Sequence, residues 1–552
     1  MNDIELNHSF QWVKDFQQKY GRKPSILHIG NIANNAYNNA KLLNKIGFDC
    51  DVICYDYYHI MGCPEWEDAD FEGEIKDQFF PDWNSVELKQ FQRPKWFAQG
   101  YILYCLFYLT AKRQNKVYLA WFWWQVLEIH RFYRCSMNGN VYKIISRITK
   151  SLKLFIKQII FIKHYIFGFV YQKFRIILLK KILKRVLNIS HKTNKISQRN
   201  TNFKNNYKNV NYDERTQQII ETFKYKFPNR KDQLVCEDLE GYRYIILLWK
   251  KLFDSYDIIQ GYSTDPILPL ITQHPYFAFE HGTLRDIPFE PTAQGRLTSI
   301  AYSQAEHVFV TNSDCINNAI LLAGENVSGM NHPYDENHGL QIEGWQELRQ
   351  KLCQQLDADF LFFFPTRHDW VVGTGYADKG NEIFLNAFCN LRQAGYKVGM
   401  VCCMWGANVQ DSIKLLTEKD CADFVLWSQP MGTIKFERTA KACHVVVDQF
   451  KLGSFGGIVF KAMAVAAPIC TYINEDDILK QYSELPPVIN CKSEDEIFSK
   501  MEDIIENPDK LLYLASLSKL WIDKYHSSWD TIKTQMLAYE KFLDKQGLLP
   551  KS

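Results

Sequence analysis

Acidic residues are missing from one long stretch of this sequence. Between Ile129 and Tyr212 there is no Asp or Glu, yet nineteen of the chain's 65 Lys and Arg fall there. The remainder holds 46 basic residues against 62 acidic ones, so the overall net charge of +3 conceals a basic segment set in an acidic protein. Such a split points to a localised anionic partner. Cys-x-x-Cys pairs are absent too. The fifteen cysteines are scattered, as at Cys50, Cys105, Cys236, Cys315 and Cys443, and Cys402 and Cys403 are adjacent, which suits neither a simple disulfide nor a tetrahedral metal site. The opening from Met1 to Lys23 is polar and charged and offers no secretory signal. Free thiols in a reducing cytosol are therefore expected. Long apolar runs are lacking: Lys and Arg interrupt each run of the basic stretch well before the ~18 residues a membrane-spanning helix needs. No Gly-x-Gly-x-x-Gly fingerprint occurs. Asp68-Ala-Asp70 and Asp357-Ala-Asp359 are isolated triples, so no metal and no dinucleotide cofactor is expected.

What is present supports two large cores, since 46% of 552 residues are hydrophobic. Ser25 to Gly30 reads as a strand, Asn31 to Tyr37 as a polar loop, Ala40 to Ile46 as a helix stopped by Gly47, and Asp51 to Tyr55 as a second strand. That order is a βαβ unit of a parallel sheet. The aromatic-rich Leu103 to His130 leads into Val141 to Leu187, where apolar and basic residues alternate. Lys143, Arg147, Lys150, Lys153 and Lys157 share one helical face. An interfacial amphipathic helix pair on an anionic membrane fits this pattern, and the solvated face of ordinary long helices is the alternative. Nucleic-acid binding is disfavoured by the load of Ile, Leu and Phe. His191 to Asn211 reads as a polar linker.

Regular α/β patterning resumes after Tyr212. Tyr244 to Leu248, Asp257 to Gln260, Tyr276 to Glu280 and His307 to Thr311 read as strands. A second series begins with Phe360 to Phe364 and continues through a helix from Lys379 to Leu391. Its further strands are Lys397 to Cys402, Asp423 to Trp427, His444 to Asp448 and Pro468 to Thr471, with a Gly-rich turn at Leu452 to Gly457 opening a helix from Ile458 to Ala466. Two parallel-sheet domains that face each other enclose a cleft, a preferred ligand site.

Four ordered stretches carry a family likeness. They are Phe364-Pro-Thr-Arg-His-Asp-Trp370 with Asp378-Lys-Gly-Asn-Glu-Ile-Phe-Leu-Asn-Ala387; Val398 to Val401 with Trp405-Gly406; Val445-Val-Val-Asp-Gln-Phe450; and Gly453-Ser-Phe-Gly-Gly-Ile-Val-Phe-Lys-Ala-Met-Ala464. This half resembles the GT-B glycosyltransferases of the group 1, family 4-like type that includes bacterial surface-polysaccharide enzymes. The resemblance implies two Rossmann-like domains, 1–340 on the acceptor side and 341–525 on the donor side, and the basic and aromatic patterning of 100–212 reads as a helical insertion in the first. The closing segment 526–552, whose pattern begins at Trp521 and runs to Phe542, looks like the helix that crosses back. The resemblance also implies a nucleotide-sugar donor, a lipid-linked or glycan acceptor, retention of anomeric configuration and no metal, and with the basic amphipathic segment it points to a peripheral position at the inner membrane face.

The same resemblance assigns Arg367 and Lys379 to the donor diphosphate, where preorganised cations stabilise the departing charge. His281 is the acceptor-side candidate, able to bind sugar or to act as a base. Glu280 would orient it and Arg285 would meet acceptor phosphate. Asn34 and its neighbour Asn35 would approach the donor from the opposite domain. Donor binding further falls to Asp448 and to the turn Gly453, Ser454, Phe455, Gly456 and Gly457, whose N–H groups would approach phosphate. One departure stands out. Many members of the group carry paired glutamates flanking this turn, which align here with Gly453 and Lys461. Lysine only donates hydrogen bonds, so the ribose contact must differ. Asp448 is placed to stand in for the first carboxylate, and the three consequences are an altered donor, a re-routed ribose contact, or a lost activity, as in a non-catalytic scaffold protein of a glycan-assembly complex.

Overall fold

The computed structural model describes residues 11–136, 212–335, 342–371, 378–480 and 482–549. The basic segment 141–187 and its flanking linker lie outside these residues. Two sheets organise the chain, and every pairing within them is parallel. The first contains β1 (Ser25–Ile29), β2 (Asp49–Tyr55), β3 (Phe97–Gly100), β4 (Ile258–Tyr262), β5 (Phe277–Glu280), β6 (His307–Val310) and β7 (Val327–Gly329), in the order β3-β2-β1-β4-β5-β6-β7. The second contains β8 (Phe360–Phe364), β9 (Val398–Cys403), β10 (Val425–Ser428), β11 (Val445–Val447), β12 (Ile469–Thr471) and β13 (Ile489–Asn490), in the order β10-β9-β8-β11-β12-β13. Strands such as Ser-Ile-Leu-His-Ile and Phe-Leu-Phe-Phe-Phe are buried at every position, because helices cover both faces of a parallel sheet. Strand order reverses between β1 and β4 and between β8 and β11, and such switch points open a crevice at the strands' C-terminal ends.

Several boundaries differ from the sequence reading, each for a physical reason. The helix after β1 starts at Asn35, before Ala40. Its polar first turns are buried yet satisfied: Asn35 donates to the Ile32 carbonyl, Asn39 to the Tyr262 hydroxyl, and the Tyr37 amide to Asn31. Asparagines with internal partners read as loop in a sequence. Tyr244 to Leu248 is not a strand. It enters the helix Ile246–Phe253, which buries Ile246, Trp249, Leu252 and Phe253 and exposes Leu247, a helical period hidden in a short apolar run. Asp423 to Trp427 begins as a 3-10 turn, with the strand starting at Val425. The C-terminal stretch is two helices, Pro508–Tyr525 and Ser528–Lys545, broken where Ser527 caps the second by accepting from the Asp530 amide. That second helix packs Ile532, Met536, Tyr539, Phe542 and Leu543 into the core of the first domain. Gln535 and Tyr539 also join a buried hydrogen-bonded set with Asn39 and Gln260.

Between β2 and β3 the chain makes an excursion with its own small core of Ile60, Cys63, Trp66, Ala69, Phe71, Ile75 and Trp83. A buried Glu65–Arg93 pair at 2.6 Å ties it together. It leans on the second domain through its helix Pro64–Asp68. Beyond β3, the helix Val117–Ser136 turns Leu127 inward and leaves Tyr118, Trp121, Phe122, Ile129, Phe132 and Tyr133 exposed. The described cysteines are all free thiols, most of them buried.

Candidate functional site

A cavity of about 430 Å³ lies between the two sheets, at the C-terminal ends of β5 and β6 on one side and of β8, β9 and β11 on the other. The second domain contributes Pro365, Thr366 and Arg367 after β8, Cys403 and Trp405 at β9, Asp448 and Gln449 after β11, and the helix start Phe455–Ile458. The first domain contributes Ala33, Asn35, Asn38, His281, Arg285 and Asn312, and the connecting chain adds His332 to Tyr334.

Lys379 lies just before the helix Asn381–Gln393, and its Nζ donates to Gln449 Oε1 at 2.8 Å. Gln449 in turn donates to the Ser454 carbonyl at 2.6 Å, so one side chain orders both the lysine and the Gly-rich turn. Burial lowers the Lys379 pKa, partly offset by Asp448. Arg367 is half exposed and tethered by Asp369 at 2.6 Å. Asp448 is buried, accepts from Thr366 Oγ1 at 2.9 Å and from the Gly456 amide at 3.3 Å, and has its pKa raised by burial against the pull of Lys379. The turn thus delivers the N-terminus of helix Gly457–Ala464 to the cavity, where first-turn amides have no intrahelical acceptor. Two cations and a helix N-terminus converge on one wall, an arrangement suited to an anion.

The opposite wall carries one cation, Arg285, which Asp314 holds, beside the uncharged side chains of Asn35, His281 and His332. Asn35 Nδ2 donates to the Ile32 carbonyl at 3.1 Å, which fixes the amide's orientation. The same nitrogen lies 2.9 Å from His281 Nδ1, so this ring nitrogen accepts and the proton resides on Nε2. Asn35 Oδ1 lies 3.4 Å from His332 Nδ1. Burial lowers His281 to about 4 and His332 to about 3, the former with help from Arg285 and the latter from His281, Lys461 and Arg285. Both rings are neutral at physiological pH, and His281 offers a hydrogen-bond donor rather than a base.

The structure brings His281, Arg285, Arg367, Lys379, Asp448, Phe455, Gly456, Gly457 and Lys461 to the cavity wall. It sets four others behind the wall. Asn34 is fully buried, in a left-handed conformation, donating to the Cys63 carbonyl; Asn35 takes the cleft position. Gly453 backs onto Tyr472 and Asn474, and Ser454 is buried beneath the turn. Glu280 is fully buried, accepts from Asn312 at 3.2 Å, and has its pKa raised by burial. Arg285 is held by Asp314 through Nε at 2.5 Å and Nη2 at 3.0 Å, and a side chain at Gly282, with φ +81°, would meet its guanidinium at 2.5 Å. His332 escaped the sequence reading, and Gln449 and Trp405, though within the motif stretches, were not assigned to the site. His332 sits on a connecting segment without periodicity, whereas Gln449 adjoins Asp448 at a strand end, a position that marks it. Among the described residues, no cluster of His, Cys, Asp and Glu is arranged to hold a metal.

Two parallel sheets with facing switch points, joined by a last helix that returns to the first domain, decide the architecture. The fold is GT-B. No protein-family model matches the chain, and no curated protein does. Among solved structures it is similar to HepE of Anabaena in complex with UDP and glucose, at 18% identity over 54% of this chain and 82% of that one, with a TM-score of 0.43. It is similar as well to sucrose-phosphate synthase of Thermosynechococcus elongatus, at 11% identity over 55% and 80% of the two chains, with a TM-score of 0.41. A third likeness is to the N-terminal domain of trehalose-6-phosphate phosphatase of Candida albicans, at 12% identity over 60% and 82%, with a TM-score of 0.43.

Proposed function

We propose that this GT-B chain is a glycosyltransferase that moves a sugar from a nucleotide-sugar donor to a lipid-linked or polysaccharide acceptor at the cytoplasmic membrane face. One observation carries the reading: Arg367, Lys379 and the start of helix Gly457–Ala464 converge on one wall of the interdomain cavity, opposite the uncharged side chains of His281, Asn35 and His332 and the Asp314-paired Arg285. Departure of a nucleoside diphosphate builds negative charge, which that cationic wall stabilises without reorganising. Arg367 and Lys379 supply the neutralising charge, so the reading invokes no metal. The hydrogen-bonding groups of Asn35, His281 and His332 suit a polyol acceptor. Among the described cavity-lining residues, Asp448 is the one carboxylate, and it stands on the donor wall. With His281 carrying its proton on Nε2, the leaving phosphate is left to take the acceptor's proton, which favours retention. The expected result with a panel of nucleotide sugars and membrane lipid extract is release of one nucleoside diphosphate, with the product's anomeric configuration, read by NMR, matching the donor's.

A second reading, a non-catalytic binding protein of a glycan-assembly complex, is favoured by one feature: neither Gly453 nor Lys461 offers a carboxylate. Nucleotide binding without turnover on any donor would select it.

The membrane partner rests on the exposed aromatic face of helix Val117–Ser136, which runs directly into the acid-free basic segment. No described helix is long and apolar enough to cross a bilayer. Aromatic and basic residues together suit an anionic interface, each Lys or Arg adding roughly 1 kcal/mol. In flotation assays the protein is expected to rise with anionic vesicles and not with neutral ones, and to lose this on deletion of Val141 to Leu187. Equal flotation with both vesicle types would contradict it.

A further inference from the structure

Lys461 stands where many relatives by resemblance have a glutamate, yet its charge is not offered to the cavity. Its Nζ donates to both carboxylate oxygens of Glu67 at 3.0 Å and to Thr433 Oγ1 at 2.7 Å, which engages all three N–H groups of the ammonium. Thr433 donates to Glu67 Oε2 at 3.1 Å, closing the triangle. Glu67 comes from the opposite domain, on the helix Pro64–Asp68 of the β2–β3 excursion, and is 5% exposed. Around it the domains are in close contact. A Cβ at Gly432 would lie 2.6 Å from Phe71 and 3.0 Å from the Trp66 carbonyl. Farther along helix Thr433–Ala442, Arg438 meets Asp70 of the same excursion at 3.1 Å, and Lys89 meets Asp70 at 2.8 Å.

We propose that Glu67 is a positioning residue of the site: through Lys461 and Thr433 it clamps the two domains across the cleft and fixes Trp66 and Thr433 as cavity walls. Binding then depends on opposite charges at 67 and 461, not on a carboxylate at 461. This rests on the cleft's being a nucleotide-sugar site. Removing one partner of a largely buried pair strands the other's charge, and a glutamate at 461 would face Glu67 directly.

The test compares Lys461→Glu, Glu67→Lys and the double exchange in the full chain, with UDP affinity measured by calorimetry and amide exchange followed at Glu65–Ala69 and Thr433–Phe436. Each single reversal is expected to weaken UDP binding at least about tenfold and to deprotect the seam, and the double exchange to restore both to within about threefold. Lys461→Glu binding UDP as tightly as the native chain would overturn the proposal, as would a folded double exchange as weak as the singles. If the native chain binds none of UDP, GDP, ADP and CMP, the nucleotide reading fails separately. The exchange data then decide, because a seam that stays protected in both singles contradicts the clamp.

Discussion

Acidification from about pH 7.5 to about pH 5.5 is expected to cost the folded protein about 4 kcal/mol through three buried histidines alone. His28, His368 and His526 are fully buried. Desolvation lowers His28 to about 3, His368 to about 4 and His526 well below the ordinary range. Their ring-nitrogen partners are neutral hydroxyls, and burial outweighs the pull of Asp369 toward the charged form of His368. His28 Nδ1 lies 2.9 Å from the Tyr262 hydroxyl, His368 Nδ1 2.9 Å from Ser412 Oγ, and His526 stacks on Phe460 and bonds Tyr482. The sign follows from linkage. Each folded pKa is depressed, so the full stability is present above the unfolded value of ~6.5. It is lost as pH falls below that value toward the folded one, because only the unfolded chain takes up protons there. Each site costs about 1.4 kcal/mol by about pH 5.5. Urea melts across this range are expected to show falling midpoints, and His368→Gln to flatten the slope. A flat profile would mean that these rings are charged or solvated in the fold.

Arg367→Ala with Lys379→Ala is expected to remove donor turnover by at least about three orders of magnitude while leaving the fold intact, since a single preorganised donor is commonly worth about 10²–10³. Lys379 lies near Asp448 and is ordered by Gln449, so its loss also frees the Gly-rich turn. Arg367 is tethered only at the cavity's edge, and its removal exposes no core. Full turnover in the double variant would move the site away from this wall. Loss of turnover with unchanged UDP affinity would mean that both cations act only in the transition state.

Legibility in the sequence tracked how local each signal was. β8, β9, β11 and the helix Asn381–Gln393 were readable because apolar runs and Gly380 or Gly395 mark their ends. Arg367 and Lys379 were singled out by the resemblance of their stretches to the glycosyltransferase group, and Asp448 by its place at a strand end beside the Gly-rich turn; the fold brings all three to the cavity wall. Asn34 misled, since an asparagine at a strand end reads as a ligand group although here its amide is spent on the Cys63 carbonyl. Helix Ile246–Phe253 misled because a short apolar run fits both periods. Glu67 was illegible: nothing in Glu-Trp-Glu-Asp announces that one carboxylate will cross the cleft to Lys461, a contact between residues 394 positions apart. His332 was likewise beyond reach, because its role arises from Asn35, which lies on the other side of the first domain's sequence.

The most direct test of the central claim is calorimetric titration of the purified chain with UDP, GDP, ADP, CMP and their sugar conjugates. One nucleotide class is expected to bind, with affinity lost in Arg367→Ala/Lys379→Ala and with a melting shift worth about 2.7 kcal/mol at roughly 100 times its Kd. A chain that binds none of them, while folded and with Lys379 intact, would contradict a nucleotide-sugar site between these two domains.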